Sequence, residues 1–171
     1  MKASVAKDKP SGQRFEIVVM ISLFLAVLLS MLNYHESIRI LVPNWVLLIV
    51  IYWTLVEPDQ FSMFAAWGVG LFLDVVNLTI LGQHALSFAI AALIVSIFSS
   101  KTLHYSMWAQ CFFVMVLSIL VIGFEFWINH LAFGYEYLTL NWQAGVMAGL
   151  IWPVIRVILD KAWSHPDSRN D

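Results

Sequence analysis

Two carboxylates stand where carboxylates are costly: Asp74 and Glu125 each lie inside a long apolar run. An ionised side chain in such surroundings pairs, takes up a proton, or faces water. His84 opens the run that follows Asp74, and Asn129 and His130 follow Glu125 by about one helical turn. Counting from the predicted inner ends places Asp74 and Glu125 in the outer half of a membrane with His84 on the same side, so the geometry allows an outer polar cluster of Asp74, Asn77, His84, Glu125 and His130. Two readings of that cluster stay open. In one it holds a ligand or a proton. In the other Asp74 ends its own helix and bonds nearby backbone, while Glu125 snorkels or pairs with a histidine. Asp74 is followed by Asn77, Thr79 and Gly82, a turn-rich reversal. A structural Asp74 would accept N–H bonds from that reversal or meet His84 across it. On that reading Asp74→Ala lowers the amount of folded protein and Asp74→Asn largely preserves it.

Other chemistry is hard to find. The chain has no HExxH pair, no GxSxG elbow and no GxxxxGK[ST] phosphate cradle. His35, His84, His104, His130 and His165 fall at no metal-ligand spacing. Cys111 is the sole cysteine, so no intrachain disulfide can form, and its apolar setting suits a packed thiol. The expectation is a protein that is not an enzyme and needs no metal or cofactor.

The elements that position these residues follow from composition. Of 171 residues 61% are hydrophobic and only 12% charged, with a mean hydropathy of +0.82. Soluble domains run nearer 45–50% apolar and about 25% charged. The apolar runs recur along the whole length, which predicts an all-α, polytopic transmembrane helical bundle. Six segments can be drawn, over 15–32, 43–56, 61–76, 81–99, 108–133 and 142–159. The second opens with Pro43, which suits a first helical turn. It covers only about 21 Å of a core about 30 Å thick. It must recruit flanking residues 38–42, thin the bilayer, or sit sheltered among its neighbours; a five-span reading makes it re-entrant. Pro153 in the sixth segment predicts a kink.

Charge placement sets the orientation. With six spans and both ends inside, Lys2, Lys7, Lys9, Arg14, Lys101, Arg156, Lys161 and Arg169 face the cytoplasm, and only Arg39 lies outside. That agrees with the positive-inside rule, and an odd number of spans would strand one terminal cluster. Basic residues ahead of the first run resemble a signal peptide's layout, but the run is too long and lacks a small-residue cleavage site. It is expected to stay as an anchor. The organisation expected is a basic tail over 1–14, one transmembrane domain over 15–161 and a second tail over 162–171. Trp45, Trp108, Trp142, Tyr105, Tyr135 and Tyr137 cluster at segment ends, where amphipathic rings settle at headgroup level. A net charge of −2 argues against nucleic acid as a partner.

Small residues mark faces for close helix contact. Ala85, Ala89, Ala92, Ser96 and Ser99 share one face of the fourth segment, and Ala144, Gly145, Ala148 and Gly149 give two small-xxx-small pairs in the sixth. Ala66 and Gly70 stand in the same relation in the third. Such faces let backbones approach, either within the bundle or against a partner's helix.

Three stretches carry a resemblance. Pro43-Asn44-Trp45-Val46-Leu47-Leu48-Ile49 running into Tyr52-Trp53 resembles a second-segment motif of the rod shape-determining MreD family. Gly70-Leu71-Phe72-Leu73-Asp74, then Leu81-Gly82 and Ala85-Leu86, is similar to that family's G-x-x-L-D…L-G-x-x-A-L signature. Gly149-Leu150-Ile151-Trp152-Pro153 resembles its last-helix W-P. The likeness runs from about Arg14 to Lys161, while the group from Glu125 to His130 matches no family motif. The resemblance implies a non-enzymatic subunit of the bacterial inner membrane, acting in the elongation machinery that inserts lateral peptidoglycan and keeps cells rod-shaped. It implies as partners an MreC-like protein, the actin-like MreB and the wall synthases. Proteins of that family are also similar in size and helix count to the substrate-binding subunits of energy-coupling vitamin transporters. The alternative is therefore a transport subunit with the outer polar cluster as its pocket. A third reading, an intramembrane enzyme, would need Asp74 or Glu125 as acid or base.

Overall fold

The computed structural model describes residues 12–32, 34–35, 39–102, 106–134 and 140–163, without the side chains of 12, 13 and 99–102. Among the described residues six main helices follow one another: α1 (Gly12–Ser30), α2 (Trp45–Val56), α3 (Met63–Asn77), α4 (Gln83–Thr102), α5 (Met107–Phe133) and α6 (Trp142–Trp163). The described residues contain no strand. Tyr105, Tyr135, Tyr137, His104, His165, most of the two expected tails and the side chains of Ser99 and Lys101 lie outside the described residues.

The short α2 is the core of the molecule. Its 12 residues span about 18 Å. Every residue from Val46 to Leu55 is buried, with α1, α4 and α6 packed around it. Shelter among neighbours is thus how this segment meets its length problem, and a helix that is apolar all round is suited to that place. Pro43 was expected in its first turn and sits ahead of it instead. Asn44 holds the cap position, where its Oδ1 accepts from Leu47 N at 3.1 Å. That bond satisfies one of the orphan donors of a helix start. At the other end of α2, Trp53 Nε1 donates to Ser22 Oγ of α1 at 2.9 Å. Phe15 and Trp163 meet the Trp53 ring edge-on at 5.3 and 5.6 Å.

Around this core the remaining helices form two close hairpins. In the first, Gly70 of α3 lies against α4, where an added Cβ would fall 2.6 Å from Ala85 Cα. In the second, Gly149 and Gly145 of α6 lie against α5. A Cβ on Gly149 would sit 2.8 Å from Cys111 O, and one on Gly145 would sit 2.5 Å from Ile119 Cγ1. Ala66 of α3, Ala85, Ala89 and Ala92 of α4, and Ala144 and Ala148 of α6 are buried as well. Ser96 departs from expectation. It is exposed, and its hydroxyl donates to Leu93 O of its own helix. The buried face of α4 runs instead through Ala91, Ala92 and Val95. Pro153, where a kink was expected, lies inside α6, which continues through it to Trp163.

The outward faces are apolar. Phe64, Trp108 and Leu131 are 76%, 86% and 72% exposed. Continuous apolar surface on this scale needs a lipid solvent. By length and composition α5 and α6 can each cross a membrane, while α2, α3 and the stretch Gln83–Phe98 of α4 are shorter apolar helices.

Candidate functional site

The site is built on the reversal between α3 and α4. Leu78 closes α3 in the left-handed conformation (φ 53°), and Gly82 follows with φ 97°. A positive φ is unstrained for glycine and costly for leucine. What holds the turn is Asp74. Its main-chain carbonyl accepts from the amides of Leu78 and Thr79, and its fully buried carboxylate takes five further bonds. Oδ1 accepts from Thr79 Oγ1 at 2.9 Å, His84 N at 3.0 Å and His84 Nδ1 at 2.7 Å. Oδ2 accepts from Gly82 N at 2.8 Å and Ala85 N at 3.4 Å. Amides at a helix start point outward and carry partial positive charge, so a carboxylate set against them is stabilised on both counts. Asp74 thus ends its own helix and caps the next one.

His84 extends this arrangement to α5. With Nδ1 on Asp74, its Nε2 lies 3.9 Å from Glu125 Oε1, so three groups from three helices stand in line. The other expected members of the cluster make different contacts. Asn77 is exposed, and His130 stacks on Phe126 with ring centroids 6.4 Å apart. Thr79 was missed by the sequence reading as a ligand of Asp74. The short polar side chain in the reversal was the signal for it.

Beside this line lies an open polar cavity of about 490 Å³, whose walls include Arg39, Asn44, Tyr34, Asn77 and His84. Asn77 and His84 were expected together, but Tyr34, Arg39 and Asn44 come from the α1–α2 connection, and their spacing gave no sign of the cavity. An apolar groove of about 470 Å³ runs between α1 and α6 over Trp45 and Ile49. Among the described residues no three His, Cys, Asp or Glu side chains are placed to hold a metal ion.

A second polar network closes the opposite end of the core. Tyr52 of α2 donates to Asp160 Oδ1 of α6 at 2.8 Å, and Arg156 Nε lies 3.5 Å from Asp160 Oδ2. Gln110 of α5 accepts from Arg156 Nη1 and from Trp152 Nε1. Arg156 and Asp160, four apart on α6, were its only sequence signal.

The profile of the family described as rod shape-determining protein MreD matches residues 11–162. The chain belongs to the MreD family. The rod shape-determining protein MreD of Haemophilus influenzae is 29% identical over 144 residues, which cover 80% of this chain and 85% of that relative. No solved structure gives a significant match. Membership makes this a membrane protein of the rod-shape system, a family of structural shape determinants. The transporter alternative finds no support in these comparisons.

The geometry gives the MreD-like motifs physical content. In the G-x-x-L-D…L-G-x-x-A-L stretch, Gly70 lets α4 approach, Asp74 bonds the Gly82 amide, and Ala85 fills the contact opposite Gly70. Leu81 is exposed at the turn. In the W-P stretch Trp152 is wholly buried and joins the Gln110 network, with Pro153 half-buried beside it. Asn44 caps α2, while Pro43 and Trp45 line the polar cavity and the apolar groove on either side of it.

Proposed function

We propose that this chain is a non-enzymatic, multi-pass subunit of the bacterial inner membrane. It spans the membrane six times with both ends in the cytoplasm and acts by binding partner membrane proteins of the elongation complex. The partner of first choice is an MreC-like protein, with MreB and the wall synthases engaged directly or through it. Membership of the MreD family carries the reading, and the use made of Asp74 supports it. The bonds to that carboxylate come from Thr79, Gly82, His84 and Ala85, all in or next to the α3–α4 reversal, which supports a structural role.

Ala85, Ala89 and Ala92 of α4 and Ala144, Gly145, Ala148 and Gly149 of α6 are covered inside the bundle, so partner helices engage the outward apolar faces. Purification from the source membrane in native nanodiscs, with mass spectrometry of what comes along, tests this. Recovery of an MreC-like protein and wall synthases supports the reading. A sample that instead carries ATPase subunits and a small bound metabolite overturns it.

A further inference from the structure

The two hairpins meet along the seam between α4 and α5, and this seam is the loose joint of the molecule. Where α3 meets α4 and α5 meets α6, glycines bring backbones into contact. Between α4 and α5 an open apolar groove of about 240 Å³ remains, lined by Ser87, Ile90, Ala91, Ile94, Leu117 and Val121 among others. Among the described residues, the charged contact that crosses this seam is His84 with Glu125.

The hydrogen bonds dictate what that contact holds. Asp74 accepts three backbone amides and a threonine hydroxyl, so it is an acceptor and His84 Nδ1 must be the donor to it. A neutral His84 then has its lone pair on Nε2, the ring atom 3.9 Å from Glu125 Oε1. Glu125 Oε1 is shut off from solvent and has no hydrogen-bond partner. Were Glu125 ionised beside a neutral His84, lone pair would face lone pair in a buried space, with the Asp74 charge behind. One proton between Nε2 and Oε1 resolves this, either as imidazolium facing carboxylate or as carboxylic acid facing imidazole.

We propose that the His84–Glu125 gap is a proton-binding site that ties α5 to the α3–α4 hairpin, and that loss of the proton releases the α4–α5 seam. The titratable groups facing Glu125 are His84 on α4 and Asp74 on α3, with the Ser87 hydroxyl alongside. His130 is on its own helix, stacked on Phe126. The titratable residues of α6, Arg156, Asp160 and Lys161, are at the other end of the bundle. His84 also stands on the wall of the polar cavity, which Arg39, Tyr34 and Asn44 share. Without the proton, lone pair faces lone pair across the contact, so the tie is present while the proton is bound and lost with it.

Nitrogen-15 NMR of histidine-labelled protein in lipid nanodiscs, followed over pH, reads the site directly. Spin labels at exposed Leu86 and Leu131, with Cys111→Ala, read the seam. The expected result is a His84 ring signal that shows the shared proton while the seam is closed, and a seam that widens along the same titration curve. In Glu125→Gln the side-chain amide donates to a neutral Nε2 and its oxygen accepts from a protonated one, so the seam stays closed and its pH dependence disappears. A neutral His84 protonated at Nδ1 beside an ionised Glu125, with the seam still closed, overturns the proposal. So does a seam whose pH dependence is unchanged in Glu125→Gln. The wild-type titration alone decides the matter should that variant not accumulate.

Discussion

Gly70 and Ala85 meet with no room for another carbon: a Cβ on Gly70 would lie 2.6 Å from Ala85 Cα and 2.5 Å from His84 O. Both obstacles are backbone atoms at the start of α4, which the Asp74 carboxylate holds in place. The approach of these two helices and the turn that joins them are therefore one construction.

Gly70→Ala is expected to lose most of the folded protein, since overpacking against atoms that cannot yield costs about 1–3 kcal/mol or more. Gly68→Ala, on the same helix with nothing within 4 Å, is expected to be neutral or stabilising, because alanine favours a helix by up to about 1 kcal/mol over glycine. Thermal unfolding in detergent, read by size-exclusion chromatography, separates the two.

At Asp74 the structure reverses the expectation drawn from sequence. Asparagine was expected to preserve the fold. Yet both carboxylate oxygens accept, so either orientation of an amide puts its NH2 group against N–H or O–H donors. Asp74→Asn should cost at least about 1.5–3 kcal/mol, the range for a hydrogen bond to a charged group. Folded yield and melting temperature should fall nearly as far as in Asp74→Ala. A yield of Asp74→Asn close to wild type would show that the reversal does not depend on the carboxylate.

On α6 the two glycines should differ. A methyl on Gly145 meets a side-chain carbon first, Ile119 Cγ1 at 2.5 Å, with backbone farther off at 3.0 Å (Ile119 N). A methyl on Gly149 meets Met115 Cβ at 2.7 Å and Cys111 O at 2.8 Å, which cannot move without the helix. Gly149→Ala should therefore destabilise more than Gly145→Ala, by at least about 1 kcal/mol. Equal melting temperatures for the two variants would contradict the packing described for α5 and α6.

In the network at the other end, Gln110→Leu should be worse than Tyr52→Phe. The first leaves the Arg156 and Trp152 donors without their shared acceptor, at about 1–3 kcal/mol for each buried group. The second removes one hydroxyl and leaves Asp160 half-exposed to water with Arg156 beside it, at about 0.5–1.5 kcal/mol. Chemical or thermal unfolding of the two variants in the same detergent gives the order.

Much of this protein was legible in its residue types. Apolar runs and their spacing determined six helices and the need for lipid, because hydrophobic length is a local property of a chain. The G-x-x-L-D…L-G-x-x-A-L stretch led to the family, and Asp74 with its turn-forming followers led to the reversal. Tertiary structure alone decided which short helix is sheltered, which stripe is covered and which carboxylates meet. The 12-residue α2 became the core because neighbours from both sides of the sequence enclose it. Ser96 left the buried stripe because helix rotation is set by packing, not by a repeat of small residues. Tyr52 found Asp160 across 108 residues, and Glu125 came to face His84 while His130 turned to Phe126. Distances of that kind depend on how helices cross, and no pattern within a single segment records the crossing.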